Sequence, residues 1–398
     1  MPVHLTLPAA KNLMLAAQGL LQPPPQPASK ADVLATIRQI GILQIDTINV
    51  VARSPYLVLW SRLGNYRPAW LDELLAEGAL FEYWAHAACF IPIEDFPFFR
   101  GRMLKTRTED YSTHYWSPLE HADLVRSILE RIRREGPLRS SDFESDHGPK
   151  SGPPQGGWWN WKDEKRALEH LFNTGELMIA RREKFQRVYD LQERLLPNWD
   201  DRQACAEEEV RRALVLKTVR AQGISRPGWV HHYYYLAKTG LAELLKGLAR
   251  EGALLEVPVE GWPEPAYVHP DHQVLLDQAA AGALEPTLTS LLSPFDPLVQ
   301  DRTRLRQVFD FDFTIECYLP QAKRRYGYYA LPILHRGAFA GRLAAKAHRA
   351  KGVFEVKGVW LEPGFELKGA LAEDLGAALQ RCAAWHGTPE VIGFITSS

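Results

Sequence analysis

The sequence predicts a helix-rich α+β fold with three tandem winged helix-turn-helix domains and a C-terminal β-rich domain. Three observations lead to this prediction. A segment of helix, glycine and apolar β-like run occurs three times, a helix-turn-helix pattern precedes it, and strand-rich sequence follows Leu291. A chain of 398 residues is also too long for one ordinary hydrophobic core. We therefore expect four domains, at residues 1–117, 118–200, 201–290 and 291–398.

The repeated segment reads LLAEGALFEYW at 74–84, LFNTGELMIARR at 171–182 and LAREGALLEVPV at 248–259. In each copy an amphipathic helix ends just before a glycine, and an apolar run typical of a strand follows it. Gly78, Gly175 and Gly252 stand where a helix closes in the left-handed conformation, which most residues with a Cβ avoid. Matching flanks around these glycines predict three copies of one unit.

The third copy shows the whole unit most clearly. It predicts a helix-turn-helix with a wing. The pattern consists of the helix CAEEEVRRALVLKTVRAQ, the turn GISRPG, two further helices and the hairpin ALLEVPVEGWPEPAYVHP. The second copy contains a Gly/Pro-rich insertion, HGPKSGPPQGG at 147–157, which we expect to be a flexible loop. The first copy runs from about Leu5 to Pro92. Winged helices point to nucleic acid, but they also mediate protein contacts, so the fold alone does not decide the function.

The last part of the chain has a different character. Between 313 and 363 the sequence is rich in strand-forming residues, with turn signals near Gly337 and Lys351. The segment LAEDLGAALQRCAAWHG at 371–387 has the periodicity of an amphipathic helix. We expect a separate β-rich domain that ends in this helix.

Composition narrows the possible classes of protein. A hydrophobic fraction of 46% and a charged fraction of 24% are typical of a globular protein, and no apolar run reaches the roughly 18 residues of a membrane span. The four cysteines form no C-x-x-C pair, which fits a reducing cytoplasm and predicts neither a disulfide framework nor a metal site. The formal net charge of −1 argues against a strong overall attraction to nucleic acid, but it is compatible with local basic patches that bind it.

The stretch GILQIDTINVVARSP at 41–55 places two polar residues in an apolar strand-like run. In a strand, residues two apart share a face, so Gln44 and Asp46 would point the same way, opposite Leu43 and Ile45. An amide and a carboxylate presented together are candidates for catalysis. Spacing alone also allows simpler interpretations: Asp46 as the N-cap of a following helix, and Gln44 as an exposed strand residue.

Two basic clusters are candidates for DNA contacts. Arg181 and Arg182 lie on the predicted second wing, and the turn Lys323, Arg324, Arg325 precedes Tyr326 in KRRYGYY. Basic side chains beside aromatic rings suit phosphate contacts combined with stacking on bases. The alternative is a solvated hairpin tip, the commoner position of Lys and Arg.

His86 stands among aromatic residues in FEYWAHAA, where a histidine is more often a satisfied core residue than a catalyst. The chain contains no Walker loop, no G-x-G-x-x-G, no G-x-S-x-G and no H-E-x-x-H motif. We therefore expect no nucleotide cofactor and no metal.

Several segments together resemble the YcaQ/AlkZ-type bacterial DNA glycosylases, a family of interstrand-crosslink repair enzymes. The segments are LQIDTINVVARSPYLVLWSRLG, FEYWAHAA, VYDLQERLLP, SPFDPLVQDR and AKRRYGYYALPIL, and the resemblance covers essentially the whole chain. Gln44-Ile45-Asp46 is similar to the Gln-x-Asp form of the family's catalytic motif, found in the YcaQ branch. The chain departs from the family pattern at Gln192, where we expect Pro, and at Gln300, where we expect Trp.

The resemblance implies a C-shaped cleft with the motif at its concave centre. It also implies a monofunctional hydrolase that cleaves the N-glycosidic bond of N7-alkylguanine-type lesions and unhooks interstrand crosslinks, with Gln44 and Asp46 as the catalytic pair. We expect further DNA contacts from Asn49, Arg53 and His86. The expected partner is double-stranded DNA with alkylated or crosslinked guanines, bound by a cytoplasmic, nucleoid-associated monomer without a membrane contact.

A non-catalytic winged-helix transcription regulator is the alternative from another class of protein. It explains the helices and wings equally well. It does not explain the polar pair at Gln44 and Asp46 or the β-rich domain, and release of free base from alkylated DNA would separate the two.

Overall fold

The computed structural model describes residues 4–25, 27–108, 116–146 and 163–393. These residues form a mixed α+β structure that falls into two compact units. The first unit contains the described parts of Met1–Pro68, Trp84–Cys89 and Arg212–Ser398, and the second those of Ala69–Tyr83 and Phe90–Arg211. The insertion at 147–157, expected to be a loop, lies outside the described residues.

The first part of the chain alternates helices with short strands. Its elements are α1 (Leu7–Ala17), α2 (Lys30–Ile40), β1 (Leu43–Gln44), α3 (Ser54–Leu63), α4 (Ala69–Ala76), β2 (Leu80–Trp84) and β3 (Ala88–Pro92). The hairpin of β2 and β3 is shared between the two units, with its tip in the first and its base in the second.

A second group of elements belongs to the second unit. It consists of α5 (Phe96–Thr108), α6 (Ala122–Glu135), β4 (Leu138–Arg139), a 3-10 segment (Ser140–Asp146), α7 (Asp163–Asn173), β5 (Leu177–Glu183), β6 (Gln186–Leu191) and α8 (Gln192–Leu195). At the first residue of α8, the backbone N–H of Gln192 donates to the Glu176 carbonyl oxygen at 3.0 Å. A proline, expected here from the family pattern, has no N–H and could not form this bond.

A third group follows, most of it in the first unit. It comprises α9 (Glu207–Gln222), β7 (Ile224–Ser225), α10 (Pro227–Tyr234), α11 (Leu241–Arg250), β8 (Leu255–Val257), β9 (Ala266–Val268) and α12 (Gln273–Ala280). Like the first two groups, it places a short strand after a helix and a hairpin at the end. The three sheets have the same order, β1-β3-β2, β4-β6-β5 and β7-β9-β8, with the last hairpin strand in the middle each time.

The glycines of the repeated segment have the predicted conformation. Gly78, Gly175 and Gly252 have φ angles of 75°, 66° and 75°, so each closes its helix in the left-handed region. This part of the prediction is confirmed.

The C-terminal part contains the largest sheet among the described residues. Its elements are β10 (Thr289–Leu291), α13 (Arg302–Phe309), β11 (Ala330–His335), β12 (Ala338–His348), β13 (Val353–Leu361), α14 (Gly369–Trp385) and β14 (Glu390–Ile392). The five strands lie in sequence order, antiparallel except for the parallel pair β13 and β14. The expected turns near Gly337 and Lys351 and the helix are confirmed, but the sheet does not end before this helix, because β14 follows it and pairs with β13.

The N-terminal segment packs on the third group of elements. The backbone N–H of Leu5 donates to the Pro258 carbonyl oxygen at 3.0 Å, and Glu260 N–H donates to the Leu5 carbonyl oxygen at 2.8 Å. Residues of α1, including Leu13 and Met14, share one hydrophobic core cluster with the third group and the C-terminal sheet. The N-terminal segment therefore packs against elements that are distant from it in sequence. Of the helices in the described ranges, none combines the length and apolar composition that crossing a membrane requires.

Candidate active site

Helix α2 and the turn after it determine where β1 begins. A reciprocal capping box between Ser29 and Asp32 starts the helix, and Gly41, with φ of 74°, ends it. A Cβ at this position would stand 2.6 Å from the hydroxyl of Tyr234. Glycine is therefore required both by the backbone conformation and by the close packing of α10.

Strand β1 is shorter than the sequence pattern predicts. It ends at Gln44, and the backbone N–H of Ile45 then donates to the Ala88 carbonyl oxygen at 2.8 Å. Leu43 is fully buried, as expected, whereas Ile45 is only half-buried. Asp46 thus lies just beyond the strand, in irregular backbone.

Asp46 forms a local turn. Its Oδ1 accepts the backbone N–H of Ile48 at 2.8 Å, two residues along the chain. The next helix, α3, begins only at Ser54, with Arg53 in the N-cap position, so the alternative of Asp46 as a helix N-cap is wrong. Burial raises the pKa of the half-buried Asp46 carboxyl, and the Ile48 N–H lowers it by a smaller amount.

Gln44 is held through His86, which lies between β2 and β3 at the tip of the hairpin. The Nε2 atom of His86 is 2.9 Å from the side-chain amide of Gln44, and its Nδ1 atom is 3.0 Å from the Tyr233 carbonyl oxygen. Burial lowers the pKa of His86 to about 4, so the imidazole is neutral at physiological pH. The interpretation of His86 as a satisfied residue is confirmed, and its expected DNA contact stays a prediction.

Tyr233 supports the site from two sides. Besides its carbonyl contact to His86, its buried hydroxyl donates to the Ile40 carbonyl oxygen at 2.6 Å, at the last residue of α2. Burial raises the pKa of this hydroxyl, so it remains a donor. Helix α10 therefore contacts both the end of α2, just before β1, and the histidine that contacts Gln44.

The segment after Asp46 is attached to the C-terminal sheet. Arg349 donates from Nη2 to the Asn49 side-chain oxygen at 3.1 Å and also to the Val51 carbonyl oxygen. The backbone N–H of Ala347, in β12, donates to the Val50 carbonyl oxygen at 2.9 Å. No sequence motif distinguishes Arg349 from other basic turn residues, and the prediction missed it.

Arg53 and Arg349 lie close enough to affect each other. Burial lowers the pKa of Arg349, and the positive charge of Arg53 lowers it further. Two cations beside the exposed Asn49 form a basic surface at the end of the segment that begins with Asp46.

Helix α3 is fixed by a buried ion pair. Arg62 binds Asp296 with its two terminal guanidinium nitrogens, at 2.7 and 2.9 Å, and both side chains are excluded from solvent. At the start of the helix, the hydroxyls of Ser54 and Ser293 are 2.8 Å apart. These contacts hold the far end of the 46–53 segment in place.

A loop of the C-terminal part lies within electrostatic reach of Asp46. We call residues 316–328 the basic-aromatic loop. The buried carboxylate of Glu316 closes it by accepting the backbone N–H groups of Arg325 at 3.1 Å and Tyr326 at 2.7 Å. Asp46 contributes to the raised pKa values of Cys317 and Tyr318, after burial in both cases, which shows that its charge reaches the loop.

The predicted residues of this loop differ in accessibility. Lys323 and Arg325 are exposed, whereas Arg324 donates to the Leu319 carbonyl oxygen at 2.9 Å and covers the Tyr328 ring. Tyr326 is half-buried against Trp360 and beneath the guanidinium of Arg342. The most exposed aromatic side chain of the loop is Tyr318, 76% exposed, which the sequence analysis did not single out.

In the second unit, the two arginines of β5 have different surroundings. Arg182 is 6% exposed and forms an ion pair with the fully buried Glu82 at 2.7 Å, which also binds Arg187. Arg181 is more accessible and binds Glu183 at 2.6 Å. Arg182 is therefore engaged in a structural ion pair with Glu82. DNA contacts by Arg181 and by Arg182 stay predictions. Within the described ranges, no three His, Cys, Asp or Glu side chains gather as a potential metal site.

Comparison with known proteins gives two findings. A family profile described as DNA glycosylase AlkZ-like matches residues 37–385. Among solved structures, the DNA glycosylase AlkZ of Streptomyces sahachiroi has a similar fold, with a TM-score of 0.62, 14% sequence identity and 98% of each chain covered. The profile includes Gln44, Asp46, His86 and the basic-aromatic loop.

Proposed function

The chain belongs to the AlkZ-like DNA glycosylase family and is a DNA glycosylase, and on this premise we propose that it hydrolyses the N-glycosidic bond of N7-alkylguanine-type lesions, including those in interstrand crosslinks. The observation that supports the proposal is that Gln44 ends β1 and Asp46 follows it by two residues, with both side chains half-buried. Asp46 is half-buried with a raised pKa, and Gln44 is held by His86. Because the family is one of enzymes, the alternative of a non-catalytic winged-helix transcription regulator is excluded.

One carboxylate is sufficient for this chemistry. Hydrolysis of an ordinary O-glycoside uses two, because a poor leaving group has to be protonated by an acid. An N7-alkylated guanine already carries a positive charge, so it leaves as a neutral base without protonation. The enzyme then has to orient a water molecule and stabilise the positive charge that develops on the deoxyribose.

Asp46 suits both tasks. Its raised pKa makes it a stronger base than an exposed aspartate. The carboxylate takes the proton of the attacking water while the water oxygen bonds to C1′, and its negative charge stabilises the oxocarbenium-like transition state. Gln44 orients the water without adding a second negative charge, which would raise the pKa of Asp46 further.

The product is an intact abasic site. A lyase step through a Schiff base needs an amine nucleophile, and the Gln44-Ile45-Asp46 motif contains no lysine. We therefore propose a monofunctional glycosylase without a cofactor. A crosslinked guanine is tied to the opposite strand and is hard to extrude fully, so the site has to act on the lesion within the duplex.

The proposed DNA-binding elements are three winged helices and the basic-aromatic loop. The common sheet order of the three strand groups supports the winged-helix assignment, because the last hairpin strand is central in each. Lys323, Arg324 and Arg325 supply positive charge on this loop, and Arg53 with Arg349 supplies a second basic surface near Asn49. Tyr326 packs against Trp360 of β13 and so attaches the loop to the sheet. We propose a cytoplasmic monomer that binds damaged double-stranded DNA.

The test is release of free base by the purified protein. Duplexes that contain N7-methylguanine or a nitrogen-mustard crosslink are incubated with the wild type, Asp46→Asn and the control Asp277→Asn, an exposed aspartate on α12. Loss of a general base costs about 10²- to 10⁴-fold in rate, so Asp46→Asn should be inactive while it binds DNA normally. Wild-type release of N7-methylguanine at the rate of the enzyme-free blank would overturn the proposal.

A further inference from the structure

We propose that His86 is a positioning residue: it carries its hydrogen on Nδ1 and thereby orients the Gln44 amide with the nitrogen toward His86 and the oxygen toward the attacking water. The part of the inference that concerns the attacking water rests on the proposed function. The hydrogen-bond arrangement itself can be measured without substrate.

The first step concerns Nδ1. It is 3.0 Å from the carbonyl oxygen of Tyr233, and a carbonyl oxygen only accepts hydrogen bonds. Tyr233 is in the last turn of α10, where carbonyl groups have no partner within the helix and need a donor from elsewhere. Nδ1 therefore carries a hydrogen.

The second step concerns Nε2. The imidazole is neutral at physiological pH, because burial lowers the pKa of His86 to about 4, and a neutral ring carries only one N–H. The ring of His232, with its centroid 6.4 Å from that of His86, adds to this lowering. Nε2 therefore presents a lone pair, and its neighbour 2.9 Å away has to be a donor.

The third step concerns the amide of Gln44. The oxygen Oε1 faces Nε2 in the structure, but a half-turn of the amide exchanges oxygen and nitrogen with little change of shape. Only the rotated form places an N–H opposite the lone pair of Nε2. The amide oxygen then points away from His86.

This orientation has a chemical consequence. A water held by the Gln44 oxygen and the Asp46 carboxylate donates one hydrogen to each of them. Both acceptors leave the oxygen lone pair of the water free to attack C1′. In the opposite orientation the amide N–H would occupy that lone pair, which would compete with the reaction.

The direct test is the tautomer of His86 in the full-length protein. Long-range ¹H–¹⁵N NMR of ¹⁵N-histidine-labelled protein distinguishes a protonated from an unprotonated ring nitrogen. His86→Asn identifies the resonances of this residue among the 13 histidines. At pH 7 we expect hydrogen on Nδ1 and none on Nε2. Hydrogen on Nε2 would overturn the inference, whether or not the protein excises N7-methylguanine.

The kinetic test separates positioning from a structural role. We expect His86→Asn to lower the single-turnover rate, measured with the DNA saturated by protein, by up to about 100-fold, the cost of a misplaced catalytic group, whether or not the Kd for lesion DNA changes. In a Gln44→Ala background the same substitution should have no further effect on the rate, because His86 acts through Gln44. The control is His231→Asn, on α10, whose Nδ1 atom lies 3.0 Å from the Gly228 carbonyl oxygen of the same helix.

Three results would contradict the inference. An equal loss of rate from His86→Asn in both backgrounds would show that the residue acts independently of Gln44. A weaker Kd with an unchanged rate would make His86 a DNA contact instead. A normal rate and a normal Kd for folded His86→Asn, with folding checked by thermal melting, would show that Gln44 needs no partner.

Discussion

The Oδ1 atom of Asp46 accepts the backbone N–H of Ile48 at 2.8 Å. This bond fixes the direction of the carboxylate in a segment without regular secondary structure. It also stabilises the ionised form, and so it offsets part of the rise in pKa that burial causes. The half-buried Asp46 carboxylate is therefore held in one direction and is a stronger base than an aspartate on the surface.

The pH dependence of excision should show the raised pKa of Asp46. We expect the single-turnover rate to fall as the pH falls through the pKa of Asp46, with a midpoint above the ordinary value of 3.8. The rate is measured from neutral pH downward, after subtraction of the enzyme-free release of N7-methylguanine. His86→Asn should retain this acid limb at a lower rate, because the limb belongs to Asp46. A rate that stays constant down to 3.8 would contradict the prediction.

Asp46→Asn should stabilise the folded protein at neutral pH. The folded-state pKa of Asp46 is raised, so the protonated form is favoured in the fold and the ionised form at pH 7 costs stability. Asparagine removes this charge and can still accept the Ile48 N–H. We expect a gain of less than about 1 kcal/mol, because solvent screens a half-buried group.

The measurement for this variant is the free energy of unfolding against pH. The gain should be present at pH 7 and should shrink as the pH falls through the pKa of Asp46, where the wild-type side chain also becomes neutral. Destabilisation of Asp46→Asn at pH 7 would show that the carboxylate is structurally required.

Arg349→Gln should loosen the segment that follows Asp46. The substitution removes the guanidinium contacts to Asn49 and to the Val51 carbonyl oxygen, at a cost of about 1 kcal/mol or more. Hydrogen exchange of backbone amides 46–53 should become faster, and excision slower. Lys351→Gln, an exposed residue in the same turn, serves as the control. Equal exchange in both variants would show that Arg349 does not hold this segment.

The basic-aromatic loop should contribute to the salt dependence of DNA binding. Each lost phosphate contact lowers the slope of log K against log salt by about 0.9. We expect this change for Lys323→Ala, whose side chain is exposed, with the exposed Lys368→Ala as the control. Fluorescence anisotropy across a salt titration measures it. An unchanged slope would place the loop outside the DNA contact.

Local patterns correctly predicted several parts of this protein. The left-handed glycines at 78, 175 and 252 are recognisable because a helix end imposes the same requirement in every fold. The strand-rich C-terminal part and its final helix follow from residue periodicity. The helix N-cap interpretation of Asp46 was wrong because an aspartate can satisfy a backbone N–H in an isolated turn as easily as at a helix.

By itself the sequence determined the repeated helix, glycine and strand segments, the family, and the identity of the amide and carboxylate at Gln44 and Asp46. Only the tertiary structure decided what holds them. His86 is 42 residues from Gln44 in sequence, and Arg349 is 300 residues from Asn49. Such pairs leave no local signal, because hydrogen bonds at this separation depend on how distant elements pack rather than on the preferences of neighbouring residues.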